Sequence, residues 1–224
     1  MICIPIMARN NGEALKKMAQ AAPLADVLEL RLDVMEGFDL KKLIQAARKP
    51  VLVSYRSKRE GGRGFANYGT RIRHLVSAIE AGADFVDVEY HLPLEHRQEL
   101  FLRRGGSKLI LSTHLLNGTP SRETLDGILR KMAGSGADIV KIVTYAKAWE
   151  DTLGVLGLIP EARSVGVKII AFAMGPMGRI SRVLAHLMGG FLTFASLEVG
   201  EESASGQIPI GEMKKVLEIL SHEY

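Results

Sequence analysis

The sequence predicts an α/β protein, a parallel (β/α)8 barrel forming a single domain over residues 1–224. Two observations carry that prediction. Eight short runs rich in β-branched residues, bounded by Gly, Pro and Asp, alternate along the chain with helix-like stretches. Within several of the runs apolar and charged residues alternate as well, so that one strand face is polar. An open doubly wound sheet is the competing arrangement, but helices cover both its faces and its strands read as continuous apolar runs.

Strands are predicted at 2–7, 27–33, 51–56, 85–90, 109–114, 139–145, 168–174 and 192–198. In the second, Leu28, Leu30 and Leu32 share one face and Glu29, Arg31 and Asp33 the other. The fourth sets Asp87 and Glu89 against Val86, Val88 and Tyr90. The fifth leads from Leu109 into Ser112, Thr113 and His114, and the sixth holds Lys141 in the middle of a mostly β-branched run. Helices are expected at 71–81, 180–188 and 212–221; Ile180, Val183, Leu184 and Leu187 follow the i, i+3, i+4, i+7 stripe of a half-buried helix. No linker or step in composition divides the chain.

At 224 residues and 47% hydrophobic, the chain can build one large core. Charged residues at 24% match an ordinary globular protein and give no sign of disorder or repeats. Cys3 is the only cysteine, which excludes an internal disulfide and a Cys-rich metal or iron–sulfur site and suggests a reducing compartment. The N-terminal residues show no basic start followed by a sustained apolar segment, and no stretch reaches the ~18 to 20 apolar residues of a membrane span. A cytoplasmic protein is expected. The net charge of +4 is scattered and lacks interleaved aromatics, so a small anion fits as well as nucleic acid does. Six dispersed histidines and no His-Glu-x-x-His pattern give no metal site.

In a barrel the polar strand face points inward, toward the end where barrel enzymes keep their sites. By period two the inward set includes Glu29, Arg31, Arg56, Asp87, Glu89, Ser112, His114, Lys141 and Met174. A buried ion-pair network is the bland explanation, chiefly for Asp87 and Glu89. For Lys141 chemistry is the sharper one. An ammonium in such a run costs several kcal/mol unless it is paired or loses its proton. Among cations and apolar walls a neutral amine can attack a ketone to form a Schiff base. The iminium acidifies the neighbouring carbon, and a neutral imidazole such as His114 can take that proton and later protonate a leaving hydroxyl. Glu60, in the loop after the third strand, is a candidate to fix the tautomer of that histidine.

The segment 59–64 is glycine-rich without a phosphate-loop spacing, and reads as a charged turn over the barrel mouth or a plain solvated loop. The segment 174–182 opens a helix after the seventh strand, where Arg182 is the candidate clamp for a carboxylate. The small polar residues at 203–207 suit a lid or a surface loop.

Together these residues resemble type I 3-dehydroquinate dehydratase, over essentially the whole chain. The resemblance rests on Glu29-Leu30-Arg31-Leu32-Asp33, Ser54-Tyr55-Arg56 followed by Glu60-Gly61-Gly62, Asp87-Val88-Glu89, Ser112-Thr113-His114, Val140-Lys141-Ile142, Ile180-Ser181-Arg182, and Ser203 with Gly206-Gln207. It implies that Lys141 forms an imine with the substrate ketone, that His114 is the general acid and base, and that Glu60 orients His114. Arg182, Ser203 and Gln207 would hold the substrate carboxylate, Glu29, Arg31 and Arg56 its hydroxyls, and Met174 and Phe194 would line the pocket. The product would be 3-dehydroshikimate, of the shikimate pathway, made without a cofactor, and a homodimer is expected. The sequence departs from the family in Thr113 and Leu115 around the histidine, and in Ser205 where the family's lid has proline, which predicts a more mobile lid. It also starts its first strand at Ile2, without the extra N-terminal hairpin of longer relatives, so a less covered barrel bottom is expected. Two rivals remain: a class I aldolase or transaldolase using the same lysine chemistry, and a non-catalytic barrel binding anions or nucleic acid.

Overall fold

The structure, a computed structural model, describes residues 1–221. Strands and helices follow in order as β1 Ile2–Ile6, α1 Asn11–Ala21, β2 Val27–Arg31, α2 Leu40–Ala46, β3 Val51–Ser54, α3 Tyr68–Glu80, β4 Phe85–Glu89 and α4 Leu94–Arg103. The second half continues with β5 Lys108–Leu115, α5 Arg122–Ala133, β6 Ile139–Tyr145, α6 Trp149–Leu156, α7 Leu158–Ser164, β7 Lys168–Met174, α8 Ser181–Leu187, β8 Thr193–Phe194 and α9 Ile210–Ser221. The sheet order is β7-β6-β5-β4-β3-β2-β1-β8, every pairing parallel, which is the predicted (β/α)8 barrel. At the remaining seam, Phe191 N donates to Ile169 O at 2.7 Å.

Local chemistry sets the helix starts. Asn10, Asp39, Asn67 and Ser121 each accept a hydrogen bond from the backbone three residues on, the usual cap for orphaned first-turn amides. The Asn67 cap begins α3 at Tyr68, three residues before the expected start at Arg71.

Period two separates two cores. Outward residues such as Ile4, Leu28, Leu30, Val53, Val88, Leu111, Val140 and Ile142 pack against the helices. Inward Cys3, Val27, Leu52, Ile110, Ile139, Ile170, Phe172 and Phe194 fill the barrel interior. Below them Phe85 and Phe191 meet edge to face, with centroids 5.9 Å apart.

Five strands are shorter than their sequence runs, β1 and β4 by one residue, β2 and β3 by two and β8 by five, and the ends of β3 and β8 shape the mouth. β3 stops at Ser54 because Arg56 N donates to Asp33 Oδ1 at 3.3 Å, and not along the ladder. β8 pairs only through Thr193 and Phe194, after which Ser196 bridges Pro209 and the chain loops out over the mouth. Both departures carry polar groups to the carboxyl ends of the strands.

Candidate active site

A cavity of about 170 Å3 lies at the carboxyl ends of the strands. Its lining includes every residue expected there: Glu29, Arg31, Arg56, Glu60, His114, Lys141, Met174, Arg182, Phe194, Ser203 and Gln207. Phe172 and Leu116 line it too. Phe172 was legible in sequence, since it shares the parity of Met174 in the run that forms β7; Leu116 lies beyond its strand and carried no such signal.

Lys141, 4% exposed, projects from the middle of β6. The expectation of cations and apolar walls around it needs correction, because Asp87 Oδ2 is 3.4 Å from its Nζ. The Phe194 ring completes its surroundings, with its centroid 4.3 Å from the same nitrogen. Asp87 does not line the cavity; it takes Arg56 Nη2 at 2.7 Å and Ser112 Oγ at 2.5 Å. Burial pushes the Asp87 carboxyl up, and Arg56, followed by Lys141, outweighs this and leaves it below its ordinary value.

Arg56 is the hub of the interior. Its Nη1 reaches Glu60 Oε2 at 3.0 Å, Glu89 Oε1 at 3.2 Å and Ser112 Oγ at 3.0 Å. Glu89 also pairs with Arg71, so Asp87 and Glu89 do form the ion-pair network of the bland reading. Arg31 is locked by a two-pronged pair with Asp33 at 2.8 and 2.9 Å, and Ser54 Oγ donates to Glu29 at 2.7 Å.

The turn Lys58–Glu60 carries Glu60 over the mouth, where Oε2 lies 2.9 Å from His114 Nδ1. Gly62 makes that turn possible: a Cβ there would meet Arg56 O at 2.2 Å. Burial pushes the Glu60 carboxyl up to about 8, against the pull of Arg56, with Glu89 and Asp87 adding to the rise. Burial, then Arg56 and Lys141, holds His114 well below the usual imidazole range. Both shifts favour the uncharged form of each partner. A proton on His114 Nδ1 leaves Nε2 as a free base.

Arg182, at the second position of α8, is 1% exposed. Its guanidinium covers the Phe172 ring at 4.4 Å and donates to Ser205 O at 3.1 Å. Among the described residues no carboxylate pairs with it. Burial, then the charge of Arg179, lowers its proton affinity. The segment 203–207 folds over it, cross-linked by Ser203 N to Gln207 Oε1 at 2.7 Å and Gln207 Nε2 to Ser203 Oγ at 3.0 Å.

Eight parallel strands around a charged pocket at their carboxyl ends define an enzyme of the (β/α)8 class. A family model described as Type I 3-dehydroquinase matches residues 2–224. The chain belongs to that family, and is a hydro-lyase. It is 33% identical over 225 residues to a 3-dehydroquinate dehydratase of Methanococcus maripaludis (strain C5), with 98% of this chain and 100% of the relative covered. It is 36% identical over 219 residues to a bifunctional 3-dehydroquinate dehydratase/shikimate dehydrogenase of Arabidopsis thaliana; there the match takes 95% of this chain but spans only 36% of the relative. The crystal structure of 3-dehydroquinate dehydratase from Geobacillus kaustophilus superposes with a TM-score of 0.91 at 31% identity, covering 98% of this chain and 90% of that one. Among the described residues, no helix is long and apolar enough to cross a membrane.

Proposed function

We propose that the protein dehydrates 3-dehydroquinate to 3-dehydroshikimate through a Schiff base on Lys141. One observation carries the reading. A single cavity joins a lysine amine to Arg182, a buried guanidinium without a carboxylate partner among the described residues, as a ligand with both a ketone and a carboxylate requires. The substrate carboxylate pairs with Arg182 and accepts from Ser203 and Gln207. Glu29, Arg31 and Arg56 face its hydroxyls, and Met174 and Phe194 hold the ring.

The Lys141 amine adds to the ketone, the carbinolamine loses its hydroxyl as water, and an iminium remains with Asp87 as its counter-ion. His114 Nε2 takes the proton from the adjacent carbon, and the C–H electron pair passes into an enamine. The enamine expels the hydroxyl, which takes the proton back from His114 and departs as water. Water then hydrolyses the product iminium and frees Lys141. Glu60, bonded to Nδ1, keeps Nε2 facing the substrate.

Intact-mass analysis after mixing with 3-dehydroquinate and borohydride, followed by peptide mapping, tests this. A reduced adduct on Lys141, missing in Lys141→Ala along with turnover, is the expected result. His114→Ala should still trap the adduct while turning over slowly. A folded protein that gives no adduct would set the covalent route aside, and cleavage of a carbon–carbon bond would favour the aldolase reading.

A homodimer is part of the same proposal. Trp149 and Leu153 on α6 are 58% and 68% exposed, and Ile180 is 46% exposed. Thr152 Oγ1 donates to Met177 O at 3.0 Å, which sets this helix beside the segment before α8 and supports one apolar face for a second copy. Sedimentation should give a dimer for the parent chain and a monomer for Trp149→Glu.

A further inference from the structure

Behind the catalytic pair lies a second cavity, of about 530 Å3, lined by Arg59, His91, Leu115 and the segment 116–120. Glu60, His114 and Leu116 line both cavities and so form the wall between them. The two oxygens of Glu60 are unequal. Oε2 takes Arg56 Nη1 and His114 Nδ1, whereas Oε1 is buried and has no hydrogen-bond partner among the described residues. A proton held on this carboxyl therefore belongs on Oε1. Only 3.5 Å from Oε1 stands His91 Nδ1, on an imidazole whose side chain is 31% exposed to the outer cavity.

His114 on its own is a poor place for the proton taken from a substrate. Arg56, Lys141, Arg31 and Arg182 all oppose a positive charge there, and burial opposes it further. We infer that His91 is a positioning residue for the elimination, the outlet through which the charge developing on His114 passes by way of Glu60 to the solvent side. As Nε2 of His114 gains the substrate proton, Nδ1 gives its own to Glu60 Oε2, and Oε1 gives its proton to His91 Nδ1. The reverse sequence returns the proton to the departing hydroxyl, so no proton is gained or lost over the cycle. The groups facing His91 are Glu60 and Arg59 from the turn before α3, Glu89 from β4, Arg97 from α4 and the neighbouring Tyr90 ring. Burial and Arg59 lower the proton affinity of this imidazole, but less than burial and four cations lower that of His114, so it starts neutral and takes the proton more readily than His114 keeps it.

The inference rests on the reading of Lys141 and His114 proposed above. His91→Phe and His91→Gln are compared with the parent for kcat, KM and the borohydride adduct, across the pH range in which Glu60 and His91 titrate. Phe removes the polar group next to Oε1; Gln keeps a polar group there but cannot carry a proton. Both should lose about tenfold or more in kcat, less than the ~10² to 10⁴ that a direct acid or base contributes. KM and the Lys141 adduct should be retained, and the acid limb that His91 adds to the kcat profile should disappear. Parental kcat and pH profile in His91→Gln, or in His91→Phe, would overturn the outlet. A parent chain that forms no adduct would overturn the Lys141 reading itself and this inference with it.

Discussion

Arg182 and Lys141 are both buried cations, yet they are held differently. Lys141 has Asp87, while Arg182 has an aromatic face and one carbonyl. A buried charge without its counter-ion is a standing cost to the folded state, and it is relieved when an anion binds. Arg182→Met should therefore raise the melting temperature of the free protein by a few degrees, at ~2 to 4 °C per kcal/mol for a domain of this size. The same change should raise KM near 10²-fold, the worth of about 3 kcal/mol of charge-assisted hydrogen bonding. Thermal melts and steady-state kinetics on one preparation check both, and a less stable variant with unchanged KM would contradict the assignment. At this scale the sequence was readable where side chains obey period two: Glu29, Lys141, His114 and Met174 all reach the cavity from strands of known parity. His91 was not readable, since it lies in the turn after β4, and its place behind Glu60 depends on how two loops fold together.

The elements that build the mouth are those whose boundaries the sequence left open. β-branched content marks where a strand can run, but its end depends on which group takes the next backbone amide. In β3 that group is Asp33, from a neighbouring strand's exit. In β8 it is the bridge from Ser196 to Pro209, which commits the intervening residues to the loop over Arg182. That loop depends on Gly206, whose φ is +81° and whose missing Cβ would stand 2.8 Å from Gly175 O. Gly206→Ala combines left-handed strain of ~1 to 2 kcal/mol with a backbone clash, so the loop should lift from the mouth. The expected result is a KM raised about tenfold with the borohydride adduct retained. Unchanged KM would mean that this loop does not help to hold the substrate.

For the molecule as a whole, the Glu60–His114 pair has a signature in stability against pH. His114, lowered on folding, contributes stability above the ordinary imidazole value of ~6.5 and loses it as pH falls. Glu60, raised to about 8, contributes stability below the ordinary carboxyl value and loses it as pH rises through its folded value. Below ~6.5 the two slopes oppose each other; from there to about 8 that of Glu60 acts alone, at most ~1.4 kcal/mol per pH step. Denaturant unfolding should show stability falling by up to ~2 kcal/mol over that window, and Glu60→Gln should flatten the fall. An equal decline in the variant would assign the slope to other groups.

Ile2 pairs with Thr193, so the barrel's first strand waits for its last. At ~5 to 20 residues per second of synthesis, β1 leads β8 by roughly 10 to 40 s. Throughout that interval one edge of Ile2–Ile6, a strand without a single charge, has no partner and is a template for sticking to other nascent chains. Cys3 O accepts from Ala195 N, so by parity Pro5 also faces the waiting edge, where it has no N–H to offer. β8 ends at Phe194 and never asks for that donor. The proline thus costs the finished barrel no ladder bond, while it blunts the edge for as long as the ribosome is still making the strand that will cover it.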